Sequence, residues 1–346
     1  MPKIQVLQLT EVTADILKRL GEKEENAIEA AKAMVAADMR GIDTHGTRLL
    51  VLIYQRLKEK MLQIPTEIEA INDESATSII NSNNGLGQVA AIHGMRISIK
   101  KAKQFGAGMV LIRNTNNVGV LGYYTTFAAQ QGVAGIMMSN AAPSMAPWGS
   151  SEPFIGTNPI SIAFPSRDFK PICIDMSCSI VSRGKIRAAA RRGEKIPYGW
   201  ALNKHGEKTT DPEEALEGTI IPLGDYKGSG LSIIIDIITG IISGSSYGNK
   251  TETFHKLMGP TGIGVCCMSF DIKKFMDIDT FYSLLEGYVT SIKNLEKKEG
   301  ISEILLPGEI EWNNEVKSIE EGISLPQEIV SDLNKILEEV GSKTRL

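Results

Sequence analysis

Histidine is scarce in this chain, four in 346 residues, and so is cysteine, also four. The cysteines are Cys173, Cys178 and the adjacent pair Cys266 and Cys267. They form no C-x-x-C, and none has a histidine at zinc-ligand spacing, so the sequence carries no metal signature. They read as small buried apolar residues in a reducing compartment. No basic block or basic-aromatic pattern occurs, and the net charge is −4, which argues against binding a nucleic-acid backbone. The longest apolar run, Leu231 to Ile242, is too short and too interrupted to span a bilayer. The opening MPKIQVLQLTEV lacks the apolar core of a signal peptide. What remains is 42% hydrophobic and 23% charged with both signs present, enough to bury a full core in more than one structural unit. The expectation is a cytoplasmic globular protein of enzyme size, without nucleic-acid or membrane partners.

The first part of the chain is predicted helical. Thr13 opens a short helix through Ile16, Leu17 and Leu20 that Gly21 closes, and Glu24–Arg40 carries an apolar face. A third helix runs from Arg48 to Leu62, ahead of Pro65. From about Ser75 the texture changes. Short β-branched or apolar runs at 77–80, 109–112, 133–138, 160–164 and 172–175 alternate with helical segments at Gln88–Phe105 and Gly122–Gln131. That alternation predicts an α/β or α+β layered structure. Leu231 to Ile242 is apolar almost all round and predicts a fully buried helix. GIGVCCMSF (262–270) is a buried strand candidate, and Asp279 to Lys298 a helix with a polar face. A last amphipathic helix, Leu325 to Val340, is expected to dock on the N-terminal ones.

Five stretches could carry chemistry. In D-M-R-G-I-D-T-H-G (38–46), His45 follows a helix end, beside Thr44 and two residues from Asp43. Imidazole moves a proton in either direction near neutral pH, although local sequence alone favours a histidine that only caps the helix. Gly85-Leu86-Gly87-Gln88-Val89-Ala90 matches the loose dinucleotide fingerprint and reads first as a turn opening a helix. R-N-T-N-N-V-G (113–119) sets asparagine amides at a strand end, suited to a carboxylate or carboxamide, or forming a plain turn. P-L-G-D-Y-K-G-S-G (222–230) predicts an anion site of backbone amides with Lys227 beside them. D-M-S-C-S-I-V-S-R-G-K-I (175–186) places an acid and hydroxyls after a strand, either to hold ribose hydroxyls or to cap a helix. The long loop Ala141 to Pro159 is expected to be anchored by Trp148 and Phe154.

Taken in order, D-M-R-G-I-D-T-H-G, N-N-G-L-G-Q, N-T-N-N-V-G-V-L-G-Y-Y, A-P-W-G, G-T-N-P-I-S-I-A-F-P, D-M-S, R-G-K-I, G-W-A-L-N, T-T-D-P, P-L-G-D-Y-K-G and P-G-E resemble the malate/L-lactate dehydrogenase family of non-Rossmann type, over nearly the whole chain. Its relatives include ureidoglycolate, sulfolactate and diketogulonate oxidoreductases. The resemblance implies a mixed-sheet α/β domain (75–300) beside a helical domain built from both chain ends (1–74 with 301–346). It implies a homodimer that uses NAD or NADP on a small 2-hydroxy or 2-keto acid. Malate comes first, with lactate-, sulfolactate- and ureidoglycolate-type substrates as alternatives. His45 matches the family's catalytic histidine, Thr44 keeps the hydroxyl of the usual serine, and Arg48 is the candidate for the substrate carboxylate. Asn140, Asp175, Met176, Ser177, Ser179, Tyr226, Lys227, Pro307, Gly308 and Glu309 form the implied cofactor set. One departure stands out: the second histidine of many members is Asn117 here, which can orient a keto oxygen but not relay a proton. That departure weighs against ureidoglycolate. Two rivals remain, a lyase with Lys227 as Schiff-base nucleophile and a relative without activity.

Overall fold

The computed structural model describes residues 2–167 and 170–346. Both ends of the chain meet in one helical layer. Lys3–Ile4 pairs antiparallel with Ile323–Ser324. The helices Val6–Arg19, Glu24–Met39 and Leu49–Lys58 then share a core with the last helix, Gln327–Glu339. Leu9, Ile16 and Leu17 lie in that core with Leu333 and Leu337, as the docking of the last helix predicts. The first helix begins at Val6 rather than at Thr13, which is fully buried within it. Val12 and Leu9 extend the apolar stripe one and two turns upstream of Ile16, so Thr13 is a core residue and not a cap.

The second layer is a seven-stranded mixed sheet. Its order across the sheet is Glu69–Glu74, Thr77–Asn81, Ala107–Thr115, Ile263–Phe270, Ala134–Ser139, Ile160–Phe164 and Ile172–Met176. Only Thr77–Asn81 with Ala107–Thr115 is parallel; every other neighbouring pair is antiparallel. A Rossmann sheet, parallel throughout, is thereby excluded. The edge strand Glu69–Glu74 carries the sheet into the segment that the sequence gives to the helical unit. Helices Gly87–Phe105 and Leu121–Gln130 cover one face, where Ile92, Met95 and Tyr124 pack on Val110, Ile112 and Cys267. All four cysteines are buried free thiols.

The segment expected to be a fully buried helix differs most from its prediction. Tyr226–Asp236 is an α-helix that continues as a π-helical turn, Ile237–Ile242. Its inner side is polar. Ser232 donates to the Gly156 carbonyl at 2.9 Å, and Asp236 accepts from Asn140 and from the Gly248 amide. Ile234, Ile241 and Ile242 are 53%, 54% and 56% exposed on the outer side. The buried serine and aspartate are satisfied by Gly156, Asn140 and Gly248 beside the buried Ile235, while most of the other isoleucines are left outward. Among the described residues no helix is long and apolar enough to cross a membrane.

Candidate active site

His45 sits on a short 3-10 turn, Asp43–His45, directly after the helix that ends at Met39. Gly41 has φ +77°, a conformation open to glycine at little cost, and it lets the chain leave the helix sharply. The Thr44 hydroxyl lies 2.9 Å from His45 Nδ1, which leaves Nε2 free of described partners. His45 is only partly covered, yet protein surrounds it closely. That desolvation lowers its pKa below the ordinary 6.5, opposed by the neighbouring Asp43 charge. Crowded by protein yet partly open to solvent, the imidazole is neutral at pH 7 and ready to accept a proton.

Three other segments meet this turn. A Cβ on Gly119 would come 3.5 Å from the His45 carbonyl, so the asparagine loop runs alongside it. A Cβ on Gly184 would come 3.3 Å from the Thr44 methyl, which brings up the N-terminal end of helix Arg183–Arg192. Arg48, half-buried, precedes the helix Leu49–Lys58 and has no ion-pair partner among the described residues. The fourth segment is the loop around His255. Arg56, fully buried, donates to the carbonyls of Lys256 at 2.9 Å and Gly259 at 2.5 Å and stacks on Phe254, which fixes that loop. Desolvation lowers the His255 pKa first, followed by the positive charges of Arg187 and His45. His255 and Arg187 thus stand in the neighbourhood of His45, and sequence reading singled out neither. The signal was the scarcity of histidine itself, since a loop position has no periodicity to mark it.

In the asparagine loop the three amides serve different ends. Asn116 is buried, donates to the Asn84 and Gly85 carbonyls and accepts from Thr261, so it is structural. Asn114 has φ +52° and donates to Asn81. Asn117 accepts the Gly119 amide at 2.9 Å and keeps its own Nδ2 free of described partners. The glycine fingerprint serves the same packing: a Cβ on Gly87 would stand 2.3 Å from the Asn117 carbonyl and 2.5 Å from that of Asn116. The chain's own loop fills the place where a pyrophosphate would lie in a Rossmann turn.

The implied cofactor residues fall along one ribbon. Asp175 Oδ2 accepts the Gly122 amide at 2.6 Å, near the start of helix Leu121–Gln130. Desolvation pushes its carboxyl up to about 6, against that hydrogen bond and the Arg40 charge, while Glu311 adds to the rise. Much of Asp175 remains open to solvent. Met176 ends the same strand. Pro307 and Gly308 run beside it, with the Cys173 amide donating to the Pro307 carbonyl at 3.1 Å. A Cβ on Gly308 would come 3.0 Å from the Cys173 carbonyl, so the chain there has room for glycine alone. Glu309 is engaged internally, by Lys293 at 2.5 Å and the Leu306 amide at 2.7 Å. Ser177 and Ser179 pair at 2.9 Å, and Ser179 bridges to Pro222, ahead of Tyr226 and Lys227.

Two expectations are corrected. The amides of Lys227 and Gly228 turn back onto the carbonyls of Gly224 and Leu223, so the exposed Lys227 ammonium is what an anion would meet there. Trp148 and Phe154 do not anchor the long loop; both are exposed, and Met145 bridging Ile155 and Ile220 holds it. Asn140 commits both amide hydrogens, to Asp236 and to the Ser246 carbonyl, and accepts from the Gly264 amide. Its side chain is a brace between the sheet and the Tyr226–Asp236 helix.

The mixed, non-Rossmann sheet carries beside it a histidine whose pKa is lowered and two guanidiniums, Arg48 and Arg187, without ion-pair partners among the described residues. The chain belongs to the malate/L-lactate dehydrogenase family, whose sequence model matches residues 4–334. It is 37% identical over 325 residues to a malate/(S)-sulfolactate dehydrogenase from Methanothermus fervidus, covering 94% of each chain. Among solved structures, sulfolactate dehydrogenase from Methanocaldococcus jannaschii superposes with TM-score 0.93 at 35% identity, over 99% of this chain and 98% of that one. Malate dehydrogenase from Entamoeba histolytica superposes with TM-score 0.94 at 30% identity, over 100% and 99%.

Proposed function

We propose that this chain transfers a hydride between NAD(P) and C2 of a small 2-hydroxy acid with a second anionic group, malate first among them and sulfolactate next. The observation that carries this is the pair of half-buried guanidiniums, Arg48 and Arg187, without ion-pair partners among the described residues and close to the His45 turn. A buried cation without a counter-charge is unfavourable until a ligand supplies one. Two of them suit a dianion better than lactate. Relatives known as malate and malate/(S)-sulfolactate dehydrogenases point the same way.

The nicotinamide, when bound, supplies or accepts the hydride at its C4. His45, through Nε2, takes the hydroxyl proton on oxidation and returns it on reduction; Thr44 at Nδ1 orients the ring. Arg48 fixes the C1 carboxylate by a two-pronged contact, and the free Nδ2 of Asn117 donates to the C2 oxygen. Asp175 is suited to the cofactor: Oδ2 is taken by Gly122, and its other oxygen is open to accept from ribose hydroxyls. Gly308 packs on the Cys173 strand beside it, and Met176, Ser177, Ser179, Tyr226 and Lys227 continue the same ribbon. Lys227 is exposed, without the dry surroundings that a Schiff-base nucleophile needs.

The protein is further inferred to work as a homodimer. The outward isoleucines of 233–242 make an apolar face that a second copy would cover, and Tyr226 and Lys227 begin the same helix.

The deciding measurement is NADH and NADPH oxidation with oxaloacetate, sulfopyruvate and pyruvate, with His45→Ala as control. The dianionic keto acids should exceed pyruvate in kcat/KM by roughly ten- to a hundredfold, the worth of one charge-assisted contact. His45→Ala should lower kcat by about two to four orders of magnitude. Hydroxy-acid oxidation should lose rate as pH falls through a transition below 6.5, where His45 gains its proton. Equal use of pyruvate would remove the dianion reading, and cofactor binding without any turnover would establish the inactive relative.

A further inference from the structure

Asp38 lies in the last turn of the helix Glu24–Met39 and is 8% exposed. Its backbone carbonyl accepts the Gly41 amide at 3.1 Å, and its Oδ2 accepts the Thr47 amide at 2.8 Å. Asp38 thus meets both ends of the loop 41–47 that carries His45, with its backbone at one end and its carboxylate at the other. Backbone bonds add to it: His45 to Ile42 at 3.0 Å and Gly46 to Asp43 at 3.3 Å inside the loop, and the Ile42 amide to the Ala37 carbonyl at 2.9 Å at its start, but Asp38 supplies the side-chain bond to the Thr47 amide. The contact is close: a Cβ on Gly46 would fall 1.8 Å from Asp38 Oδ1. Gly46 has φ −90°, which any residue can adopt, so it is glycine to admit this carboxylate and not to relieve its backbone.

We propose that Asp38 is the positioning residue of the active site, a clasp that closes the 41–47 loop and fixes where His45 stands. The alternative, a polar residue that serves folding alone, fits poorly with its surroundings. Its Oδ1 is buried with no hydrogen-bond partner, and the Thr47 hydroxyl faces the carboxyl without closing a bond of normal geometry. No cation touches it. The charges in its field are Asp43, which is unfavourable, and Arg48, which is favourable but not in contact. Desolvation pushes the carboxyl up to about 7. A folded-state pKa above the unfolded value means that the ionised group weakens the fold at pH above 7, and that this cost fades as pH falls. Folding alone would be served better by a neutral isostere. The carboxylate earns its place by gripping the Thr47 amide with a charge-assisted bond while standing against Gly46.

The inference rests on the proposed role of His45, and its test separates the two. Asp38→Asn and Asp38→Ala are compared with the parent for kcat, KM and melting temperature at about pH 8, where the parent's carboxyl is ionised. The imidazole of His45 is followed by NMR, assigned with His45→Ala. Asp38→Asn should lower kcat by about tenfold and Asp38→Ala by about a hundredfold, the scale of a misplaced catalytic group. KM should change by less than about threefold in both, since a misplaced base alters turnover more than binding. Asp38→Asn should melt no lower than the parent, because it removes a buried charge, while the His45 resonances move. The proposal fails if kcat and the His45 resonances stay at parent values in both variants. It also fails if Asp38→Asn lowers melting temperature and kcat together with unmoved resonances, the mark of a folding role alone. If His45→Ala keeps parent turnover, the functional reading falls, and the resonances alone still decide whether Asp38 holds the loop.

Discussion

The His45 turn and the Lys227 turn both follow or open a helix, yet they are built on opposite plans. At His45 the loop is sewn shut: Asp38 takes the amides of Gly41 and Thr47, and Thr47 is fully buried. At Lys227 the chain is open, with Leu223, Tyr226 and the lysine itself exposed. A proton-transfer group has to be fixed to fractions of an ångström, because small displacements cost large factors in rate. A cofactor is exchanged at each turnover, so its residues serve best on a surface that can be entered. Under the roles proposed for the two turns, rigidity goes with the chemistry and openness with the exchange.

Three substitutions would sharpen or break that contrast. Gly46→Ala should act most strongly. Its methyl collides with a short, buried carboxylate, so kcat should fall by about a hundredfold or more. The melting temperature should also fall, as overpacking predicts, and steady-state kinetics with a thermal melt check both. Parent activity in this variant would mean that the loop is not rigid. Next, Ile234→Lys with Ile241→Lys should halve the sedimenting mass and weaken cofactor binding, since charges cannot be buried in a dimer contact at low cost. An unchanged sedimentation coefficient would separate the apolar face from assembly. Lys227→Gln should act least, raising the cofactor KM by about fivefold, the roughly 1 kcal/mol of an exposed charge contact, with kcat kept. Abolished turnover would instead make the lysine a nucleophile.

The sheet was legible because its strands are short, β-branched and separated by helical periodicity, and 107–115, 134–139, 160–164 and 172–176 all lie where the pattern places them. The Tyr226–Ile242 helix was not. A count of apolar residues cannot tell a buried helix from one that turns its serines and Asp236 inward and its isoleucines out. Thr13 misled because a hydroxyl at a turn of apolar spacing looks like a cap until Leu9 and Val12 are placed behind it. Within the candidate site, Asp175 is marked by its place after a strand, whereas His45 and Arg48 stand out through the family resemblance, since local sequence favours a capping histidine. Asp38 lies in the same motif as His45, but its grip on Thr47 spans nine positions, a spacing that no periodic rule reads. Arg187 and His255 come together only through folding, from a helix and a distant loop.

The pairing of Lys3–Ile4 with Ile323–Ser324 sets an order of events during synthesis. Lys3 and Glu321 are joined across 318 positions of chain. Until the last helix leaves the ribosome, Leu9, Ile16 and Leu17 have the cover of the second helix but lack that of Leu333 and Leu337. The strands of the sheet can pair earlier, among nearer neighbours, while the first helices wait with greasy sides exposed to any chaperone at hand. The His45 loop hangs between two of those helices, so its working shape depends on a layer that both ends of the chain must complete.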